Sequence, residues 1–333
     1  MTSSHPRRIF LLGATGTIGR ATARALVRRG HDVVCFVRPR AGSASGPSSD
    51  ESARLLAGAT LRFGDVQEAA SLAHDGFRGE RFDALVSCLA SRTGAPKDAW
   101  AIDHQAHVQA LDAALKAGVA RMVLLSAICV QKPALAFQQA KLAFEQRLID
   151  SGLNYSIVRP TAFFKSLSGQ LGRVRSGKPF LVFGDGRLTA CKPIADDDLA
   201  EYLADCLDDP ALQNRVLPIG GPGDAITPLQ QGELLFEAMG RTPRFKHVPV
   251  ALLDAIVGTL GAAGRLVPAL AAKAELARIG RYYATESMLV WDAAAERYDA
   301  DLTPSTGQRT LAQHYADLAS GRADVALGAH AVF

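Results

Sequence analysis

The sequence predicts an α/β protein built on a doubly wound parallel sheet with helices on both faces, followed by a smaller, mainly helical C-terminal lobe. The opening run Ile9-Phe10-Leu11-Leu12 is apolar without alternation, which is typical of a strand buried on both faces. Predicted strands and helices then alternate to about residue 160, as in a doubly wound sheet. The 333 residues suffice for such a domain and an additional lobe.

A glycine-rich segment directly follows the first strand. Gly13, Gly16 and Gly19 lie between that strand and a helix predicted over residues 20–29. Glycine-rich turns join many strands to helices, but a helix N-terminus with exposed backbone N–H groups is also a ready site for a pyrophosphate. The segment therefore predicts a Rossmann dinucleotide site. The predicted cofactor contacts are Gly13, Thr15, Gly16, Thr17, Ile18 and Gly19, together with Cys88 in a later strand.

The end of the second strand indicates which dinucleotide is bound. Val33 to Val37 are followed by Arg38, where an NAD site usually has an acidic residue for the ribose diol. An arginine suits a 2′-phosphate instead, so we predict NADPH, with Arg40 able to share the role. Alternatively, both arginines simply solvate the strand end. Asp65 can reach the adenine, or it can form a helix capping box with Glu68.

The remaining elements follow in chain order. We predict a mobile loop over 41–52, strands over 61–64, 84–89, 122–125 and 155–158, and helices over 103–117 and 137–149 that end near Gly118 and Gly152. The lobe has helices around 228–239 and 250–276, and a strand-like segment, 216–221, that can return to the main sheet. We therefore assign residues 1–160 to the dinucleotide-binding domain, rejoined around 190–221. The substrate-binding lobe is 161–189 and 222–333.

Composition narrows the class of partner. Charged residues make up 21% of the chain and the net charge is +4, so no strongly basic surface indicates nucleic acid, and a small molecule is the expected partner. The five cysteines are scattered and include no C-x-x-C pair, which favours a reducing cytoplasm. His104 and His107 lack a third ligand, so we predict no protein-bound metal. The first eight residues lead into a strand too short for a signal-peptide core.

Three features resemble the short-chain dehydrogenase/reductase superfamily in its atypical, extended, isoflavone-reductase-like branch. They are the glycine-rich start, Ser126 at a strand end, and Phe137-x-x-x-Lys141. In that superfamily a serine, a tyrosine and a lysine act on carbonyls, and the tyrosine carries the proton. The resemblance implies that Lys141 holds the nicotinamide ribose and that Ser126 lies near the nicotinamide. The alternatives are a helix-surface lysine and a serine that satisfies local backbone.

The phenylalanine at position 137 narrows the chemistry. Reduction of a ketone puts charge on oxygen and needs a nearby acid or oxyanion donor, which a phenyl ring does not supply. Reduction of a conjugated carbon–carbon double bond does not make that demand. The chemistry expected at this site is therefore addition of hydride to an activated double bond, followed by protonation on carbon.

The second half of the chain resembles the divinyl chlorophyllide 8-vinyl reductase family. The segments that carry the resemblance are Tyr155 to Leu167, Phe183-Gly184-Asp185-Gly186, Cys191-Lys192-Pro193-Ile194 and Ser287 to Asp292. The resemblance implies NADPH-dependent reduction of the 8-vinyl group of divinyl (proto)chlorophyllide to ethyl. A magnesium tetrapyrrole is then the substrate.

Several substrate contacts follow from this resemblance. Phe163 and Phe164 suit a flat pigment, with core packing as the alternative. Lys165, Arg173, Arg175 and Lys178 are candidates to pair with its propionate. The apolar stretch 250–276 is interrupted by charges, so we expect an amphipathic cover, either a lid or a peripheral contact with the photosynthetic membrane. Two alternatives stay open: an isoflavone-reductase-like enzyme acting on small phenolics, and a non-catalytic NmrA-like sensor of NADP(H).

Overall fold

The computed structural model describes residues 5–39 and 49–323. Its strands are β1 (Arg8–Leu12), β2 (Asp32–Val37), β3 (Thr60–Phe63), β4 (Ala84–Ser87), β5 (Arg121–Leu125), β6 (Asn154–Pro160), β7 (Phe180–Phe183), β8 (Arg215–Ile219), β9 (Phe245–Val248), β10 (Val290–Asp292) and β11 (Arg297–Asp299). Its helices are α1 (Thr17–Arg28), α2 (Ser49–Leu55), α3 (Ala69–Ser71), α4 (Pro96–Ala99), α5 (His107–Lys116), α6 (Ala136–Ile149), α7 (Phe164–Leu167), α8 (Leu171–Arg175), α9 (Asp196–Asp208), α10 (Pro228–Ala238), α11 (Val250–Leu266), α12 (Pro268–Thr285) and α13 (Leu311–Ala319).

The main sheet has seven parallel strands in the order β3-β2-β1-β4-β5-β6-β8. The chain runs outward from β1 to β3 and then crosses back to β4, so the strand order reverses between β1 and β4. In open α/β sheets ligands bind in the crevice at this reversal, outside the carboxyl ends of the strands. The predicted fold class is confirmed.

The unalternated first strand is buried on both faces, as predicted. Ile9 and Leu11 point into a core shared with α1 and α9, whereas Phe10 and Leu12 point into a second core on the opposite face. Because both faces exclude water, truncating a fully buried side chain such as Phe10 to alanine costs about 3–5 kcal/mol.

The lobe adds small sheets and helices beside the main sheet. β7 pairs with β9 in parallel, β10 pairs with β11 antiparallel, and a third apolar core gathers around Phe180, Leu235 and the fully buried Tyr315. β8 pairs with β6 at the edge of the main sheet. The division into 1–160 with 190–221 and the substrate lobe stays a prediction.

Several predicted boundaries were wrong. α1 begins at Thr17, so Gly19 lies inside its first turn, and β4 ends at Ser87. The helix expected over 103–117 starts earlier, because α4 runs into α5 through the π-helical turn Trp100–Ala106. The stretch 250–276 is two helices rather than one, since Pro268 begins α12 and cannot continue α11.

Two other local expectations concern the adenosine side. In the predicted loop 41–52, α2 already begins at Ser49, and residues 41–48, like Arg40, lie outside the described residues. The capping box of Asp65 and Glu68 does not form. Glu68 itself is the N-cap of α3, and the Asp65 carboxylate instead accepts a hydrogen bond from the Gln67 N–H at 2.9 Å.

Candidate active site

The glycine-rich loop forms a tight cradle at the reversal of strand order. Gly13 has φ +73°, and a Cβ there would lie 2.5 Å from the backbone carbonyl of Cys88 at the end of β4. A Cβ on Gly19 would lie 2.0 Å from the carbonyl oxygen of Gly13. The Gly16 N–H donates to that same oxygen at 3.0 Å. Side chains are therefore excluded at Gly13 and Gly19, and the loop leaves its backbone open to a ligand.

The predicted contacts at this cradle divide into backbone and side-chain groups. Thr17, Ile18 and Gly19 begin α1, so their N–H groups have no partner within the helix and carry its positive end. Ile18 is 7% exposed and packs in the core, so only its backbone can serve a ligand. Thr15 is half-buried in the loop. This donor set fits the diphosphate of a dinucleotide.

The side chain of Cys88 contacts α1. Its sulfur lies 3.6 Å from Thr22 Oγ1 on α1, and burial raises the pKa of the thiol to about 12. A neutral thiol in this position packs sheet against helix. Cys88 can therefore touch a cofactor through its backbone, which lies beside Gly13.

Arg38 and Asp65 lie together at the ends of β2 and β3. The Arg38 side chain is 55% exposed, and its Nη2 is 3.9 Å from Asp65 Oδ1. A contact this long between exposed groups contributes little to stability. The guanidinium is thus only loosely held, and the two residues lie just after the carboxyl ends of β2 and β3.

Lys165 lies beside the cradle rather than deep in the lobe. It follows β6 in the short helix α7, and its Nζ donates to Thr17 Oγ1 at 3.1 Å. Burial, followed by the nearby Arg20, lowers the pKa of Lys165. Asp196 raises the pKa of Lys165 in turn. The structure therefore places a partly desolvated ammonium group at the N-terminus of α1.

Asp196 begins α9 next to these cations. Its Oδ1 is buried without a hydrogen-bond partner among the described residues, and burial raises its pKa to about 6, with a further contribution from Asp197. Lys165 and Arg20 act in the opposite direction. The carboxylate partly offsets the positive charge of this corner at neutral pH.

Lys141 is bound to a buried carboxylate. Its Nζ lies 3.0 Å from Asp103 Oδ1, and the exposures of the two side chains are 11% and 0%. Asp103 Oδ1 also accepts from the Ser91 N–H at 3.2 Å, while its Oδ2 has no partner within the described part of the chain. The surface-lysine alternative therefore does not describe Lys141. An ion pair of this kind fixes a positive charge beneath the carboxyl ends of β4 and β5.

His107 supports the same region as a neutral side chain. Its Nδ1 lies 2.9 Å from the carbonyl oxygen of Ile102, and its Nε2 lies 2.9 Å from Ser87 Oγ. A carbonyl only accepts, so Nδ1 carries the proton and Nε2 accepts from the serine. Burial, followed by the charge of Lys141, lowers the His107 pKa to about 4. His104 instead packs against the ring of Trp100.

Ser126 is engaged by a second buried ion pair. Its hydroxyl donates to Glu145, a carboxylate with 2% exposure that is also bound by two nitrogens of Arg159. The Ser126 N–H donates to the Val158 carbonyl at 2.7 Å. Ser126 thus takes part in hydrogen bonds that join β5, β6 and α6.

Phe137 is half-buried under α12. It packs in an apolar cluster with Ile128, Cys129, Leu135, Ile279 and Tyr282. Gly94 lies beside it, since a Cβ there would be 2.9 Å from Ile279 Cδ1 and 3.6 Å from Phe137 Cδ1. Helix α12 therefore covers position 137.

The predicted substrate residues differ in their surroundings. Phe164 is 3% exposed and packs against His314 in the lobe core, as the core-packing alternative expects. Phe163, which follows the carboxyl end of β6, is only partly buried. Arg173 Nε donates to the Pro179 carbonyl at 2.6 Å, and Arg175 Nη2 donates to the Leu318 carbonyl at 2.5 Å. Each of these two guanidinium groups therefore already has a backbone carbonyl as its hydrogen-bond partner.

Three further observations bear on possible sites. In residues 5–39 and 49–323, no three His, Cys, Asp or Glu side chains are placed to hold a metal ion. No helix in the same ranges is both long and apolar enough to cross a membrane. A cavity of about 530 Å³ between Phe77 and α5 contains none of the predicted site residues.

The sequence singles out neither Asp103, which pairs with Lys141, nor Tyr283, whose hydroxyl lies 3.8 Å from Cys129 Sγ. Asp103 lies in a predicted helix and carries no motif, and only the fold brings it to Lys141. Tyr283 lies in α12, beyond the stretch 250–276 that was interpreted as an amphipathic cover. The unusual neighbours Tyr282-Tyr283, close to the Ser287 to Asp292 segment, are the one signal that could have drawn attention to it.

The chain is similar to known NAD(P)H-binding proteins in both sequence and fold. Residues 13–210 match the NAD(P)H-binding family, which covers more than half of the chain, so this is an NAD(P)H-binding protein. The leucoanthocyanidin reductase of Vitis vinifera, solved with NADPH, superposes with a TM-score of 0.69 at 17% identity, covering 94% of this chain and 99% of that one. A likeness at this identity shows the shared fold.

The particular family follows from closer relatives. The divinyl chlorophyllide a 8-vinyl-reductase of Oryza sativa subsp. indica is 48% identical over 331 residues, which are 98% of this chain and 82% of that protein. The enzyme of the same name from Arabidopsis thaliana is 46% identical over 318 residues, covering 92% and 76%. The chain belongs to the divinyl chlorophyllide a 8-vinyl-reductase family, as predicted. Both relatives are described as chloroplastic.

Proposed function

We propose that this protein reduces the 8-vinyl group of a divinyl (proto)chlorophyllide to an ethyl group with NADPH. The observation that carries the proposal is identity of nearly one half with named 8-vinyl reductases over almost the whole chain. The site agrees with this chemistry, because a dinucleotide cradle adjoins a fixed cation, while position 137 has no hydroxyl. Arg38 supports NADPH over NADH.

Each residue of the site has a proposed role. When bound, NADPH supplies the hydride. The Gly13 to Gly19 cradle holds its diphosphate, and Lys165, whose Nζ already reaches Thr17, adds a cation there. Lys141 keeps a positive charge beside the nicotinamide, where it stabilises the charge that develops in the pigment. Asp103 fixes the position of that charge.

The lobe supplies the pigment site in this proposal. Phe163, partly exposed at the carboxyl end of β6, offers an aromatic face beside the nicotinamide region. Lys178 is exposed and is the proposed partner of a pigment carboxylate, because Arg173 and Arg175 bind carbonyl groups of the lobe and Lys165 lies at the cradle.

The decisive experiment is anaerobic incubation of the protein with divinyl chlorophyllide a and NADPH. We expect a blue shift of the Soret band and a mass gain of two hydrogens, with no reaction from NADH. Turnover of a small phenolic but not of the pigment would favour the isoflavone-reductase-like alternative. Tight NADPH binding without turnover of either substrate would favour the sensor.

We also propose that the α11–α12 hairpin is where the protein meets a pigment-bearing membrane surface. The hairpin exposes large apolar side chains, namely Leu252, Ile256, Val267 and Leu276, with exposures of 38–52%. Single exposed apolar residues are common, but a group on one hairpin suits an interface. Flotation with liposomes of galactolipid tests this. A protein that stays at the bottom of the gradient excludes it.

A further inference from the structure

Reduction of a vinyl group to an ethyl group needs a proton donor as well as a hydride. One carbon gains the hydride, and the other gains a proton from an acid in the site or from water. Phe137 has no proton to give. An acid in the site would therefore have to come from another polar side chain that the fold brings close to Phe137.

The hydroxyl groups around Phe137 and Lys141 differ in how firmly they are held. Ser126 donates to the buried Glu145 carboxylate. Tyr282 is held between the carbonyl oxygens of Cys129 and Lys132, at 2.9 and 3.1 Å. Each of these protons has a strong acceptor. The Tyr283 hydroxyl instead contacts a sulfur atom, Cys129 Sγ, at 3.8 Å, and a thiol is a weak partner for a phenol.

The position of Tyr283 follows from the helix that carries it. Ile279 of α12 lies near Phe137, and residues four apart share one face of a helix, so Tyr283 lies one turn further along that face. Cys129, which its hydroxyl touches, follows β5 in the turn Ile128–Gln131 and is close enough to feel the charge of Lys141. The Tyr283 hydroxyl therefore reaches the part of the site that Phe137 leaves without an acid.

The environment keeps this hydroxyl protonated while the ring stays accessible. Burial at the oxygen, together with Cys129 and Tyr282, holds the pKa of Tyr283 well above the usual value for tyrosine. The side chain as a whole is 42% exposed, so part of the ring is open to a ligand. A phenol in this setting can give a proton to carbon and recover one from water.

We propose that Tyr283, which lies on α12, is the acid that protonates the pigment carbon. It would supply the proton that Phe137 cannot give. This inference rests on the proposed function. In the step, the π bond of the vinyl group is lost as hydride from NADPH joins one carbon and the Tyr283 proton joins the other, while the carbon–carbon σ bond remains. Water then restores the proton to the tyrosinate. NADP⁺ and the ethyl pigment are the products.

The test compares Tyr283→Phe with the matched control Tyr282→Phe in the full-length protein. General acid catalysis typically contributes 10²–10⁴-fold, so we expect the kcat of Tyr283→Phe to fall about 100-fold or more. The dissociation constants of NADPH and of divinyl chlorophyllide a should stay within about twofold of wild type, because the lost hydroxyl has only a thiol partner. Tyr282→Phe should lower the Tm and keep most of the turnover.

A second variant separates a proton donor from a structural residue. Replacing Tyr283 by 3-fluorotyrosine lowers the phenol pKa, so the alkaline fall of kcat should move to lower pH, and the fluorine resonance should shift when the pigment binds. A Tyr283→Phe enzyme as fast as wild type, or an unmoved pH profile, overturns the inference. A wild-type enzyme that leaves the pigment unchanged overturns the proposed function instead, and the fluorine resonance then still reports whether Tyr283 faces the pigment.

Discussion

A substitution of Lys165 can show whether this residue binds NADPH or the pigment carboxylate. We predict that Lys165→Met weakens NADPH binding and leaves the affinity for divinyl chlorophyllide a unchanged, because its Nζ lies 3.1 Å from Thr17 Oγ1 at the cradle. The family resemblance alone had suggested the pigment carboxylate as its partner. Methionine keeps the length and apolar body of the side chain, so the perturbation is chiefly the loss of the charge.

The expected size of the effect follows from the environment of the ammonium group. An exposed ion pair is worth about 0–1 kcal/mol, but burial lowers the pKa of Lys165, so water screens its charge less than at the surface. A hydrogen bond to a charged group then contributes about 1.5–3 kcal/mol. Since each 1.4 kcal/mol or so is tenfold in an equilibrium constant, the NADPH dissociation constant should rise roughly 10- to 150-fold.

Titration of NADPH fluorescence measures this without any turnover, and Lys178→Met is the matched control. Lys178 is an exposed lysine of the same lobe, and its replacement should leave NADPH affinity unchanged while weakening pigment binding. The reasoning is refuted if Lys165→Met binds NADPH like wild type and instead loses affinity for the pigment.

Three further predictions concern the cofactor site and its support. Gly19→Ala should abolish NADPH binding, because its Cβ would lie 2.0 Å from a backbone oxygen, whereas Gly16→Ala, at 3.3 Å, should retain measurable binding by calorimetry. Arg38→Ala should raise the dissociation constant of NADPH about 10- to 100-fold and leave that of NADH nearly unchanged, and equal changes would remove Arg38 from the phosphate site. Burial lowers the His107 pKa to about 4 in the folded state. The neutral form therefore stabilises the fold above pH 6.5, and about 3 kcal/mol should be lost as the pH falls to 4. Urea unfolding at pH 7 and 4 should show that loss in wild type and a smaller one in His107→Gln.

Some interpretations from the sequence failed at helix boundaries, and the reasons are local. α1 begins three residues earlier than predicted because Gly19 accepts helical backbone geometry in close contact with Gly13. The helix predicted from residue 103 begins earlier, because the π-helical turn Trp100–Ala106 joins α4 to α5. Such shifts depend on packing against the sheet, which a periodic pattern does not report.

The sequence by itself determined the features that depend on neighbouring residues. The unalternated run of β1, the glycine spacing after it and Arg38 after β2 specify a dinucleotide site through local geometry, and the Phe137-x-x-x-Lys141 spacing places its lysine on a helix. Only the tertiary structure decided which side chains complete the site. Lys165 reaches Thr17 across 148 residues, and Tyr283 reaches Cys129 across 154, because β6 and α12 return to the carboxyl edge of the sheet. Contacts between such distant segments are set by the packing of the whole chain, and no spacing within the sequence encodes them.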